Sequence, residues 1–445
     1  MPELPVTRDR HAGLPVQGEQ RLEKTKTMTD TTQASAGSVE RKKPGTFEAL
    51  RYRNYRLYWF GNAVSFIGDW LDQIALNWLV ISTTGDPIML GLVNLGRGLP
   101  IMLFTMFGGV VADRVDRRTM LICTQVLAML VAIGLACTVA FFNASIWIIL
   151  LLATCRGLIV AFNMPARNSL IYQLVPREAM ASAVSLNSVT LNLAKVIGPL
   201  ASAAIIASLG VTACFIANAV SFTVVMGMLM MIDLPPQDRS RRKAESMLQS
   251  LSAGFSYMKH EPVLLMLVAV ALAPTFFCQP YLQFLSVFSA QVFDTGATGF
   301  GVMTALAASG SICGGLLAAR VQRNVRRGSM MLVFMGCFAL ALILFAAAPN
   351  FHVAIPLLFA AGAMQIAYNS SNDTILQLTV DDAYRGRVLS LLFMTRGLMP
   401  VGTATMALIA AMIGPRLALG LMSSVVLVFA VVLWIWMPRL RKLRV

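Results

Sequence analysis

Twelve stretches of about 20 predominantly apolar residues recur along the chain, bounded by charge or by Gly and Pro, and about 20 such residues are what a helix needs to cross a bilayer core. They run Leu57 to Ile81, Ile88 to Ala112, Met120 to Phe142, Ile146 to Leu170, Ala179 to Ser208 and Val211 to Ile232, then Val263 to Phe288, Thr298 to Ala319, Met330 to Ala348, Val353 to Leu378, Val388 to Ile413 and Pro415 to Met437. In lipid every backbone N–H and C=O must find its partner within the span. The pattern therefore predicts an all-α membrane protein with twelve transmembrane helices. Composition agrees: 57% of the 445 residues are apolar and 13% charged, where soluble domains carry roughly a quarter charged. Disordered, collagen-like and disulfide-scaffold classes are excluded.

The formal charge of +15 is explained by position. With both termini on one face, 31 of the 36 Lys and Arg fall on that face and Arg416 alone on the other. The positive-inside rule then predicts a multi-pass protein of the plasma (inner) membrane with both termini cytoplasmic. The basic excess reads as topology and attraction to anionic lipid headgroups, not as a nucleic-acid footprint. Residues 1–45 are polar and lack a long apolar core, which predicts a disordered cytoplasmic tail; Met28 offers a second start. A polar linker, 234–260, separates a first set of six spans within 46–233 from a second within 261–437, and 438–445 form a basic cytoplasmic tail.

The two sets read as copies. GGVVADRVDRR at Gly108 to Arg118 has an echo in GGLLAARVQRN at Gly314 to Asn324, and the same shift of 206 carries Phe162-Asn163 to Tyr368-Asn369. Two pseudo-symmetric six-helix bundles follow. Internal duplication of this kind marks transporters and puts a substrate site between the halves near mid-membrane.

The seven cysteines lie in predicted spans without CxxC spacing, and His11, His260 and His352 are scattered. No metal site or cofactor is expected. None of the eight lysines follows a glycine, so there is no phosphate-binding loop, and a gradient rather than ATP would be the chain's direct energy source.

Charges within spans carry the functional signal, because an ionisable group at mid-bilayer costs about 2.5–3.5 kcal/mol unless it faces a cavity or partner. Asn62, Ser65, Asp69, Asp72/Gln73 and Asn77 recur at steps of three and four, forming a polar stripe on one face of the first helix. One of its carboxylates, Asp69 first, is the candidate proton or substrate carrier; a fixed ion pair with Arg97 is the alternative. Arg156 and Lys195 can each neutralise a first-span aspartate. Asp373 and Arg396 are the matching opposite pair in the second half, in a structural bridge or a transport role. Gln279, Pro274 and Pro280 break the seventh span.

The loop run Gly109-Val-Val-Ala-Asp113-Arg114-Val-Asp116-Arg117-Arg118 combines a glycine for close helix approach, an aspartate suited to a helix N-terminus and arginines suited to holding acidic groups across the seam between the halves. It resembles the G-x-x-x-D-R-x-x-R-R loop of the major facilitator superfamily, with Asp116 in place of a second glycine. By that resemblance Asp113 would cap the eleventh span near Arg385 to Arg387 when the cytoplasmic side is shut. Arg156 is similar to the fourth-span arginine of proton-coupled drug antiporters. Ala194-Lys-Val-Ile-Gly198-Pro199 is similar to their fifth-span Gly-Pro motif, with small residues replacing three glycines. FEALRYRNYRLYW, SFIGDWLDQIALNWLV and RGRVLSL extend the resemblance, over about 46–440, to the enterobactin-exporter-like (transmembrane secretion effector) branch.

The resemblance implies a monomeric secondary transporter that exports a small amphiphilic compound, drug-like or siderophore-like, by alternating access and proton antiport. A same-fold importer or facilitator of a small metabolite would keep every feature except direction. A membrane-embedded sensor or enzyme would need an output domain or a catalytic constellation, and neither is legible in the sequence.

Overall fold

The structure is a computed structural model in which residues 47–233, 262–321, 327–380 and 397–441 are described. The expected tail, linker and Arg385 to Arg396 region lie outside them, as do the side chains of Asp113 and Ala319. Among the described residues there is helix and no strand. The helices are α1 (Arg53–Thr84), α2 (Pro87–Arg114), α3 (Arg117–Phe141), α4 (Ile146–Leu174), α5 (Met180–Leu209), α6 (Val211–Met230), α7 (Pro262–Phe277), α8 (Gly296–Val321), α9 (Arg327–Ala347), α10 (Phe351–Thr379), α11 (Met399–Ile413) and α12 (Pro415–Trp436). After a break at Cys278 to Pro280, α7 resumes as Tyr281–Val287 and closes in a π turn, Phe288–Val292. Pro438–Arg441 adds a short helical turn where a basic tail was expected.

Ten of the described segments are long and apolar enough to cross a membrane. The two that are not have separate causes. At 32 residues α1 is the longest helix, but its polar stripe dilutes its hydropathy. The described part of α11 is 15 residues, because its expected start at Val388 falls outside the described residues.

Local chemistry sets the ends. Asp86, Asp116 and Asn350 cap α2, α3 and α10, accepting from the N–H groups of Ile88, Thr119 and Val353 at 2.8, 2.8 and 3.0 Å, which satisfies donors the first helical turn leaves open. Single glycines in positive φ, Gly210 at 82° and Gly414 at 88°, separate α5 from α6 and α11 from α12. Glycine adopts that backbone without the Cβ penalty, and it does so at the same connection in each half.

Packing repeats in the same way. In the first half α2 pairs with α4, α3 with α4 and α6, and α1 with α5 and α6. In the second, α8 pairs with α10, α9 with α10 and α12, and α7 with α11 and α12. The halves meet where α2 lies on α11 and α5 on α8, two contacts exchanged by the same internal symmetry. A buried apolar cluster runs through both halves. A second cluster, with Tyr55, Tyr58, Leu170, Leu174, Ala183 and Leu229, gathers where α1 begins.

Candidate functional site

The stripe of α1 is a ladder in which successive rungs bind different helices. At the bottom, Asn62 donates to Asn187 Oδ1 of α5 at 3.1 Å. Arg167 of α4 donates to Ser65 Oγ at 3.3 Å and lies over the Phe66 ring. Asp69 is ion-paired with Arg156 of α4. Asp72 accepts from Arg97 of α2 at 2.8 Å. Gln73, Asn77 and Asn94 close the top as a side-chain amide cluster with donor–acceptor distances of 3.1–3.3 Å. Arg97 therefore serves Asp72, and Asp69 takes Arg156; the alternative pairing of Asp69 with Arg97 does not occur.

The two carboxylates differ in access. The Asp72 side chain is 2% exposed and that of Asp69 29%. Asp72 is enclosed by protein, whereas Asp69 is only partly covered by it. Arg156 is 6% exposed, stands over the Phe222 ring at 4.9 Å, and its Nε lacks a hydrogen-bond partner among the described residues. This cation depends heavily on Asp69.

Glycines set the spacing around the ladder. A Cβ at Gly157 would overlap the Arg97 carbonyl oxygen, one at Gly198 would overlap Trp70 beside Asp69, and one at Gly98 would overlap the Pro400 ring of α11. Lys195 is exposed on α5 and Asp373 half-buried on α10. Arg396 lies outside the described residues. In the second half Tyr281 donates to Gln365 Oε1 at 3.2 Å and Tyr368 to the Val270 carbonyl at 2.7 Å, bracing the break of α7.

A family model described as transmembrane secretion effector matches residues 44–444. The chain belongs to that family. It is 28% identical over 367 residues, 80% of this chain and 90% of the relative, to the staphyloferrin A transporter of Staphylococcus aureus. It is 25% identical over 394 residues, 88% and 93%, to the enterobactin exporter of Shigella flexneri. A bacterial homologue of the human lysosomal transporter Spinster, solved inward-facing and unoccupied, shares the fold at a TM-score of 0.71 with 16% identity, over 88% of this chain and 98% of that one. The chain is thus a multi-pass transporter of the major facilitator superfamily, and the enterobactin-exporter-like resemblance holds.

The family's loop motif has a specific construction in this chain. Close approach falls on Gly108, where a Cβ would overlap the Ala161 carbonyl of α4, while the described residues leave open space around Gly109; the expectation placed it on Gly109, one position further round the helix. Arg117 donates to the Ser169 carbonyl at 3.2 Å and Arg118 to the Met230 carbonyl at 2.6 Å. Both stay within the first half, and Arg118 grips the C-terminal end of α6, a favourable charge–dipole contact. The expectation of acidic partners across the seam concerns a region outside the described residues. Arg114 is exposed. Asp116, which by resemblance stands in place of a second glycine, is the N-cap of α3.

The segment FEALRYRNYRLYW docks the start of α1. Tyr55 donates to the Ala183 carbonyl at 2.8 Å, Asn54 to that of Asp233 at 2.7 Å, and Arg53 pairs with Asp233 at 3.5 Å. Sequence reading missed Asn94, Asn187 and the packing glycines Gly98 and Gly157. The signal for Asn94 was present: it lies one turn before Arg97 on the same face of α2.

Proposed function

We propose that this chain exports a small amphiphilic compound, siderophore-like or drug-like, by alternating access with proton antiport, and that Asp69 carries the coupling proton. The observation that carries the reading is the contrast within α1: Asp69 is only partly covered by protein and holds a buried cation, while Asp72, one turn away, is enclosed. Protonating Asp69 releases Arg156, and an anionic or hydrogen-bonding group of the substrate can then replace the lost carboxylate. Arg97, Arg156 and Arg167 line the first-half face of this path, with Lys195 on α5. Asp373 and Arg396 provide the second-half charges. Gly198, next to Pro199, lets α5 press against α1 beside Asp69, and Gly109 to Arg118 serve the cytoplasmic gate.

In this reading two bundles, 46–233 and 261–437, rock about the linker 234–260, the protein works as a monomer in the inner membrane, and both termini face the cytoplasm. Family membership and the siderophore-related relatives support export of such compounds.

The test is release of protons from preloaded inverted vesicles on adding lipophilic cations, macrolides or siderophores. A compound that discharges the gradient with the wild type and not with folded Asp69→Asn is expected. Equal discharge by both proteins removes Asp69 as carrier. Substrate-driven flux only in right-side-out vesicles reverses the direction.

A further inference from the structure

We propose that two Arg-Gly steps, Arg156-Gly157 and Arg97-Gly98, transmit the charge state of Asp69 to the seam between the halves, so that Gly157, Gly98 and Pro400 are positioning residues for transport. The inference rests on Asp69 alternating between charged and neutral forms. The tripeptide Arg-Gly-Leu occurs at 97–99, 156–158 and 396–398. The first two copies touch in space, and Pro400 follows the third.

The chain of contacts is short. Asp69 holds Arg156, and the next residue, Gly157, abuts the Arg97 carbonyl so closely that no Cβ fits. Arg97 holds Asp72 at 2.8 Å, and the next residue, Gly98, receives the Pro400 ring of α11 with equal closeness. Each arginine anchors its helix to α1, and each following glycine passes the helix position on to a neighbour. When Asp69 loses its charge, Arg156 is left buried without a counter-charge, which favours a shift of α4. Little slack exists between α4 and α2: besides Gly157, a Cβ at Gly96 would lie 2.8 Å from Thr154 Oγ1 and one at Gly108 would overlap the Ala161 carbonyl. Three such points along the interface make α2 and α4 move together, since close-packed interfaces do not deform continuously. The displacement then reaches α11 through Gly98 and Pro400.

Contact alone does not establish coupling, so the test is a double-mutant cycle on the seam. Spin labels at Thr83→Cys and Met412→Cys, both at exposed positions, report the outer separation of the halves in the full-length protein with its native cysteines replaced by alanine. In that background Asp69→Asn is expected to change the ratio of wide to narrow populations by roughly threefold or more, and to leave it unchanged when Pro400→Ala is also present. Pro400→Ala inserts nothing into the interface and lies in the first turn of α11, so a folding defect does not imitate the result. Gly98→Ala should give the same loss of response. Gly301→Ala, which wedges the separate α5–α8 contact against Ala203, should retain the full response to Asp69→Asn. The same factor with and without the Pro400 ring, or no response in the parent, overturns the relay.

The distance readout needs no flux. Lost proton release with an additive cycle removes the relay and keeps Asp69 as the proton carrier. A coupled cycle with normal proton release in Asp69→Asn removes Asp69 as carrier and keeps the mechanical link.

Discussion

Asp72→Asn separates structural charge from functional charge. The Asp72 and Arg97 side chains are 2% and 13% exposed at 2.8 Å, and the variant preserves shape while leaving the guanidinium without its counter-charge. Removing one partner of a buried pair costs about 3–5 kcal/mol; asparagine still accepts one hydrogen bond, which favours the lower end. At about 2 °C per kcal/mol for a large domain, the midpoint of thermal unfolding in detergent should fall by about 6 °C or somewhat more. The molecule supplies its own control. Arg53 and Asp233 pair at 3.5 Å with side chains 60% and 89% exposed, and Arg53→Ala should cost at most about 1 kcal/mol, as surface pairs do. The double variant Asp72→Leu/Arg97→Met should recover most of the loss, because an apolar pair avoids the desolvation that the ions suffer. If Asp72→Asn melts with Arg53→Ala, or the double variant is no better than the single, Asp72 is not a buried structural ion and the assignment of roles on α1 fails.

Two further outcomes follow from the packing. Gly108→Ala should lower the unfolding midpoint because its methyl meets the Ala161 backbone, whereas Gly109→Ala should hold or raise it by up to about 1 kcal/mol equivalent from helix propensity. Thermal scans of the two neighbouring variants decide this directly. Tyr55→Phe removes one buried hydrogen bond, to the Ala183 carbonyl at 2.8 Å, and should cost about 1 kcal/mol in the same assay without changing proton release.

Much of the architecture was legible because lipid imposes it. Apolar length marked the spans, and the GGVVADRVDRR echo marked the internal copy that helix pairing repeats. The polar stripe of α1 was legible from spacing, even though it makes that helix less apolar than ten other segments. What spacing could not supply was depth. A helical period says that Asp69 and Asp72 share a face; which cation each meets depends on how far α2 and α4 slide along α1, and that is set by contacts such as Gly157 on the Arg97 carbonyl. The placement of close approach at Gly109 rather than Gly108 has the same origin, since adjacent residues point about 100° apart on a helix. Asp116 was legible as part of a motif, but its role as cap emerges only once the helix boundary is known.

The ladder of α1 also has a history in the order of synthesis. Asp72 meets a cation 25 residues later in the chain, and Asp69 meets one 87 residues later. At about 5–20 residues per second, the ribosome delivers Arg97 about 1–5 s after Asp72 and Arg156 about 4–17 s after Asp69. Until then each carboxylate at mid-bilayer carries an insertion cost of about 2.5–3.5 kcal/mol. The two rungs of α1 therefore close at different times: the Asp72 rung can form once α2 is made, the Asp69 rung only when α4 follows, and the sequence order of two arginines becomes a schedule for assembly of this ladder.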